Sequence, residues 1–157
     1  MIEVNIPGWK ALRLQYLVLD FNGTLAVDGD LIAGVSERLN HLSSMLSVHV
    51  VTADTFGKAA AQLEGVSCRL SVLPADGQDT AKLAYVNELG AEGTACIGNG
   101  RNDRLMLAGA ALGIAVVLQE GASSQSLAAA DIVCRDIHSA LDLLTHPLRL
   151  TATLRTS

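Results

Sequence analysis

Tyr16-Leu-Val-Leu19, followed at once by Asp20-Phe-Asn-Gly-Thr-Leu25, is the stretch on which the fold turns. An unbroken apolar run ends on a carboxylate and gives way to a tight polar turn. Absence of alternation is what a strand buried on both faces requires. In open parallel sheets, the loops that leave the carboxyl ends of such strands carry the chemistry. Five further runs have the same character: Val48–Thr52, Leu70–Leu73, Ala95–Gly98, Gly113–Val117 and Ile132–Cys134.

Between the runs the spacing of apolar residues predicts helices over Val35–Leu46, Phe56–Leu63, Thr80–Leu89, Arg104–Ala110, Gln125–Ala130 and Ile137–Leu144. Asp79 is the expected N-cap of the third, Asn102 or Asp103 of the fourth, and Ser123 or Ser124 of the fifth. Asp28-Gly29 predicts a small hairpin across Val27–Ile32, and Asp54 and Asp76 read as cap or turn residues. The expected class is therefore α/β: a three-layer, doubly wound, Rossmann-like parallel sheet. One domain over residues 1–157 is anticipated, with its core at about 12–145. Ile2–Ile6 is expected as an edge strand, and the segment after Pro147 as a tail of no legible structure.

Composition narrows the function. Lys and Arg number 11 against 16 Asp and Glu, a net charge of -5, which argues against a broad electrostatic grip on nucleic acid or an anionic membrane. Mean hydropathy is +0.35 and half the residues are hydrophobic. Polar residues nevertheless break every apolar run well short of the roughly 20 residues of a membrane span. The N-terminus has neither a basic start nor a long apolar block, so the cytoplasm is the expected compartment. The high apolar content points to self-association. Cys68, Cys96 and Cys134 are odd in number, far apart and set in apolar runs, the pattern of reduced, packed thiols.

Four segments fall at successive strand ends: Asp20-Phe-Asn-Gly-Thr24, Thr52 in Val-Val-Thr-Ala-Asp54, Lys82 in Asp-Thr-Ala-Lys-Leu, and Gly98-Asn-Gly-Arg-Asn-Asp103. This ordered set resembles the haloacid dehalogenase superfamily of aspartate-nucleophile phosphotransferases. More narrowly, Asp-x-x-Gly-Thr-Leu with Gly-x-Gly-x-Asn-Asp is similar to the phosphorylation core of P-type ATPases, here without their nucleotide-binding insertion. Phosphoryl transfer needs a nucleophile, donors to the phosphoryl oxygens and a cation, and each has a candidate. Asp20 would attack phosphorus and become an aspartyl phosphate. Phe21, Asn22, Gly23, Thr52, Ala53 and Lys82 form the expected phosphate-binding set, Gly23 letting the backbone turn closely around the group. Lys82 sits near the start of its helix, against the dipole preference for cations, which hints at an anionic partner. The resemblance further implies Mg²⁺ as cofactor, held by Asp20, the Asn22 carbonyl, Asn99 and Asp103.

Two positions depart from the superfamily pattern. Asn22 stands where its phosphatases carry an acid–base aspartate, so the catalytic set of Asp20, Asn22, Thr52 and Lys82 should turn over slowly. Asn99 stands where a carboxylate usually faces the metal, so Mg²⁺ should bind more weakly. Asp20 and Thr52 are 32 positions apart, and Thr52 and Lys82 are 30, which leaves no room for an inserted cap domain. An open site suits a phosphorylated small molecule or protein. The rival reading is a catalytically weak domain that binds phosphate and Mg²⁺ for regulation. A receiver domain is excluded because it needs an acidic pair at its first strand end, and a dinucleotide fingerprint because Gly98-Asn-Gly100 lacks the third glycine.

Overall fold

In the computed structural model of the chain, which describes residues 1–54 and 57–157, the six apolar runs become six parallel strands of one sheet. The chain opens with β1 (Ile2–Asn5) and β2 (Ala11–Leu14), then β3 (Tyr16–Leu19), β4 (Ala26–Val27), β5 (Asp30–Leu31) and helix α1 (Val35–Leu42). Next come β6 (Ser47–Thr52), α2 (Ala59–Gln62), β7 (Arg69–Val72), α3 (Gln78–Leu89), β8 (Thr94–Gly98), α4 (Arg104–Gly109) and β9 (Leu112–Val116). The chain closes with α5 (Ser124–Ala129), β10 (Ile132–Cys134), α6 (Ile137–Thr145) and α7 (Pro147–Leu154). The order across the sheet is β10-β9-β8-β3-β6-β7. From β3 the chain steps outward through β6 and β7, then returns to the other flank of β3 at β8. The winding therefore reverses between β3 and β8, and Asp20 and Asn99 follow those two strands.

Packing explains why the strands do not alternate. Leu17, Leu19, Val48, Val50 and Ile97 join one buried cluster with Leu39 of α1 and Leu141 of α6. Val18, Val51, Cys96 and Ala115 point the other way, onto Val86 of α3 and Met106 and Leu107 of α4. Both faces are covered, so apolar residues dominate both, with His49 and Thr52 of β6 and Thr94 of β8 as buried polar exceptions. Asp28 and Gly29 both take positive φ, 53° and 84°, closing the predicted hairpin with the backbone twist that two-residue turns prefer.

Several boundaries differ from expectation. Ile2–Asn5 is a strand, but it pairs antiparallel with β2 in a separate two-stranded sheet rather than extending the main one. Ile2, Val4, Leu12 and Leu14 pack beneath that hairpin into the main core. Helix α1 stops at Leu42, because the Ser43 and Ser44 hydroxyls donate back to the carbonyls of Asn40 and His41 at 2.6 and 2.8 Å. The helix predicted over Phe56–Leu63 runs from Ala59 to Gln62, and its predicted first residue, Phe56, lies outside the described residues. The tail is helical: Pro147 opens α7 at its first position, where a missing N–H costs nothing. Ser123 caps α5 as expected, accepting from the Gln125 amide at 3.3 Å. Among the described residues the three cysteines are free, with Cys96 fully buried, and no helix is long and apolar enough to cross a membrane.

Candidate active site

The site assembles at the carboxyl edge of the sheet, where β3, β6 and β8 end side by side. Asp20 prolongs β3, its amide donating to Ile97 O at 3.0 Å, so the adjacent strand fixes its position. Its side chain meets Lys82, whose Nζ donates to Asp20 Oδ1 at 2.9 Å and to Asp103 Oδ1 at 2.7 Å. Lys82 is 1% exposed and Asp103 is fully buried. An isolated lysine in the first turns of a helix would normally be solvated; here two carboxylates hold it inside. Asn102 Oδ1 is a third, longer partner at 3.4 Å.

Asp103 is held by several partners at once. Its Oδ1 is taken by Lys82, and its Oδ2 accepts from the amides of Asn99 and Gly100 at 3.0 and 2.9 Å. Asp103 thus serves as a counter-charge to Lys82 and a clamp on the loop after β8, and a metal there would share oxygens already engaged. Asp79 is reassigned. Gly77, in the left-handed region, precedes α3, while Asp79 lies inside the first turn and pairs with Arg104 at 3.1 Å.

Thr24, which the sequence reading passed over, is completely buried, its hydroxyl 3.2 Å from Asp20 Oδ2 and 3.3 Å from Asn99 Oδ1. One hydroxyl proton serves one of these acceptors at a time. Its signal in the sequence was a hydroxyl one residue after the turn glycine, close enough to fold back on Asp20. Asn99 is steered by its own amide, which donates to Gly121 O at 3.0 Å. Gly23, at φ 80°, lies directly against that amide, and a Cβ there would collide with it.

The expected phosphate set sorts by what each group already binds. Gly23 N is committed to Ala26 O at 2.7 Å, so this glycine contributes the turn and not an amide. Phe21 packs its ring in the core, leaving only its backbone for the site. Thr52, 2% exposed, accepts from Asp54 N at 2.9 Å and so keeps its hydroxyl proton to donate. The β3–β6 register pairs Leu19 with Val50, which sets Thr52 one residue beyond the level of Asp20. Ala53 follows in the same loop, half-buried. Among the described residues, Asn22 Oδ1 is buried with no hydrogen-bond partner, a polar atom left for another group to meet.

The electrostatics follow from two carboxylates sharing one ammonium. Burial, followed by the neighbouring Asp103 charge, pushes Asp20 up to about 7, against the opposing pull of Lys82 and Thr24. Burial alone would lower Lys82, yet the two carboxylates outweigh it and hold the ammonium above its ordinary value. The cluster's formal charge of one cation against two anions leaves a buried deficit that a divalent cation would offset. The hard oxygens of Asp20, the Asn22 carbonyl and Asn99 suit Mg²⁺, though one carboxylate is the low end of what that ion takes.

This has a thermodynamic consequence for the metal-free protein. Burial raises the Asp20 carboxyl to about 7 in the folded state, whereas in the unfolded chain it keeps its ordinary 3.8. Its contribution to stability therefore falls as pH rises between those values, by on the order of 2–4 kcal/mol in total. His49, buried and lowered, titrates in the opposite sense, so the wild type must be compared with Asp20→Asn. Urea denaturation with chelator at pH 5 and pH 8 should show Asp20→Asn gaining on the wild type at the higher pH. Equal pH profiles would contradict the buried-carboxylate account.

No family model matches the chain. The uncharacterized protein MJ0073 of Methanocaldococcus jannaschii is 48% identical over 79 residues, which cover 48% of this chain and 85% of that protein. A second protein of that organism, the uncharacterized MJ0072, is 44% identical over 39 residues, 25% of this chain and 89% of its own length. Among solved structures, the 3-deoxy-D-manno-octulosonate 8-phosphate phosphatase of Moraxella catarrhalis, in complex with magnesium, phosphate and KDO, superposes with TM-score 0.72 at 16% identity. That match covers 89% of this chain and 90% of the other. The cobalt-bound phosphatase YrbI of Haemophilus influenzae gives 0.71 at 18% identity, covering 92% and 94%. An apo phosphoserine phosphatase gives 0.64 at 17%, covering 83% and 99%. The chain thus has the haloacid dehalogenase fold, with no cap domain among the described residues, and belongs to one family with the uncharacterized protein MJ0073 of M. jannaschii.

Proposed function

We propose that this protein is a phosphatase-type hydrolase or phosphotransferase that passes a phosphoryl group through Asp20 with Mg²⁺ as cofactor. The observation that carries the reading is the buried Asp20–Lys82–Asp103 cluster at the switch point of the sheet. A fold alone does not assign chemistry, but a carboxylate at the open edge whose burial and neighbouring charge raise it is a mark of a working site. The phosphatases named above share the fold, and their bound magnesium, cobalt and phosphate lend the reading support.

In the reaction, an ionised Asp20 oxygen attacks phosphorus, the bond from phosphorus to the leaving oxygen breaks, and the leaving group departs with that electron pair. Lys82 offsets charge on the nucleophile side while Thr52 and the Phe21, Asn22 and Ala53 amides donate to phosphoryl oxygens. A divalent cation bound at Asp20, the Asn22 carbonyl and Asn99 would supply further neutralisation of the phosphoryl charge. Asn22 cannot exchange a proton near neutral pH, so the leaving group must be stable as it departs, and water attacks the aspartyl phosphate unaided. Substrates with good leaving groups, on a phosphorylated small molecule or protein, fit this and the capless rim.

Turnover of an aryl phosphate with Mg²⁺ tests the reading. The expected result is slow hydrolysis that chelation and Asp20→Asn each reduce by at least about 10³-fold, as loss of a covalent nucleophile does. Activity that survives Asp20→Asn would refute it. The absence of an acid–base group at Asn22 favours one alternative, a regulatory domain that binds phosphate and Mg²⁺ with little turnover. Binding of phosphate with Mg²⁺ in the absence of any turnover would select that alternative.

A further inference from the structure

Beside the Asp20–Lys82–Asp103 cluster lies an open groove of about 590 Å³, walled by Gln78 and Asp79 at the start of α3 and by Gly100, Arg101, Asn102 and Arg104 from the loop after β8. Its volume is that of a small-molecule site. Asn102 joins it to the nucleophile: the Oδ1 accepts from Lys82 Nζ at 3.4 Å, and Lys82 in turn contacts Asp20. The amide of Asn102 donates to Gln78 Oε1 at 3.0 Å, so the wall is fixed rather than draped. Asn102 is thus the lining residue that links the groove to the cluster, through the ammonium that contacts Asp20.

The charges of the groove indicate what a ligand there carries. Lys82 is spent on two carboxylates, and Arg104 on Asp79 at 3.1 Å and on Arg101 O at 3.1 Å. The Arg101 side chain has a neutral partner, its Nε donating to Gln125 Oε1 at 2.9 Å, and among the described residues it makes no ion pair. Among the described lining residues, Arg101 is therefore the cation without a carboxylate partner, in a chain whose net charge is -5. A planar guanidinium so placed is suited to a carboxylate or a second phosphate. A neutral aryl or alkyl leaving group would leave it unused.

We infer that the groove is the leaving-group subsite and that Arg101 selects substrates whose leaving group bears a second anionic group, a carboxylate or a phosphate. The inference rests on Asp20 being the phosphoryl site. Arg101 is on this account a specificity residue, remote from the reacting atoms.

Calorimetry in Mg²⁺ with three non-hydrolysable phosphonates of one chain length tests it without relying on turnover: propylphosphonate, 3-phosphonopropionate and propane-1,3-bisphosphonate. The expected result is that one or both doubly anionic ligands bind about tenfold or more tighter than propylphosphonate, as a hydrogen-bonded charge pair warrants. Arg101→Gln should collapse that ratio toward one. Preference for 3-phosphonopropionate identifies a carboxylate-bearing substrate, and preference for the bisphosphonate a doubly phosphorylated one. Equal binding of all three, or a preference that Arg101→Gln leaves intact, would overturn the subsite while leaving Asp20 as the phosphoryl site. If even propylphosphonate fails to bind, the subsite falls together with the phosphoryl reading beneath it.

Discussion

Lys82→Met is expected to cost on the order of 3–5 kcal/mol of stability at pH 8 in the absence of metal. Methionine is close to lysine in length, so the change is chiefly one of charge. It would leave Asp20, with 7% of its surface exposed, and the fully buried Asp103 facing each other without the ammonium that contacts both. Removing one partner of a buried ionic cluster is far costlier than replacing the whole cluster, because the remaining charge stays desolvated. Two further results follow from the same cause. The loss should shrink at pH 5, where a carboxyl can take up a proton, and adding Asp20→Asn to Lys82→Met should restore part of the stability. Urea denaturation of the single and double variants measures all three. A loss below about 1 kcal/mol would mean that the cluster carries little of the energy assigned to a buried ion pair.

Asn22→Asp is expected to raise turnover of an aryl phosphate by roughly 10²–10⁴-fold, the range a positioned acid–base group supplies. Position 22 lies two residues after Asp20, and among the described residues Asn22 Oδ1 is buried with no hydrogen-bond partner. A carboxyl there can protonate the departing oxygen and then draw the proton from the attacking water, neither of which an amide can do. The gain should carry a pH dependence absent from the wild type, since the new group must be protonated for the first step and ionised for the second. Steady-state kinetics across pH reads both the size and the shape. An Asn22→Asp variant that is folded, binds Mg²⁺ and is no faster would show that slow turnover has another source.

Much of this architecture was legible because the residues that decide it have one cause each. The six runs lacked alternation since both faces of every central strand are buried, as Leu17 and Leu19 against Val18 illustrate. Asp20 stood out because a carboxylate ending such a run has no reason to be there unless a loop uses it. Lys82 was harder. Its residue type argues for solvent, and only the pairing of β3 with β8, which brings Asp103 alongside Asp20, gives it two anions to meet.

What escaped depended on contacts far apart in sequence or on local hydrogen bonds with competing outcomes. Thr24 lies 75 residues from Asn99, and no spacing rule connects them. The two amides that Asp103 accepts from are a property of the folded loop, which its residue type does not announce. Pro147 was legible as a stop for α6 and not as the start of α7, since the same ring serves both. Asp79 suited a cap by composition, yet Gly77, one residue before the helix, takes the left-handed turn that begins it.

The central claim, that Asp20 accepts a phosphoryl group, is tested most directly by incubating the protein with acetyl phosphate and Mg²⁺ and locating any added phosphoryl group by intact-mass and peptide mass spectrometry. One phosphoryl group should appear, be released by hydroxylamine as acyl phosphates are, map to the peptide containing Asp20, and be absent from Asp20→Asn. A protein that stays unmodified while binding phosphate and Mg²⁺, or that carries the group on another residue, would contradict the account.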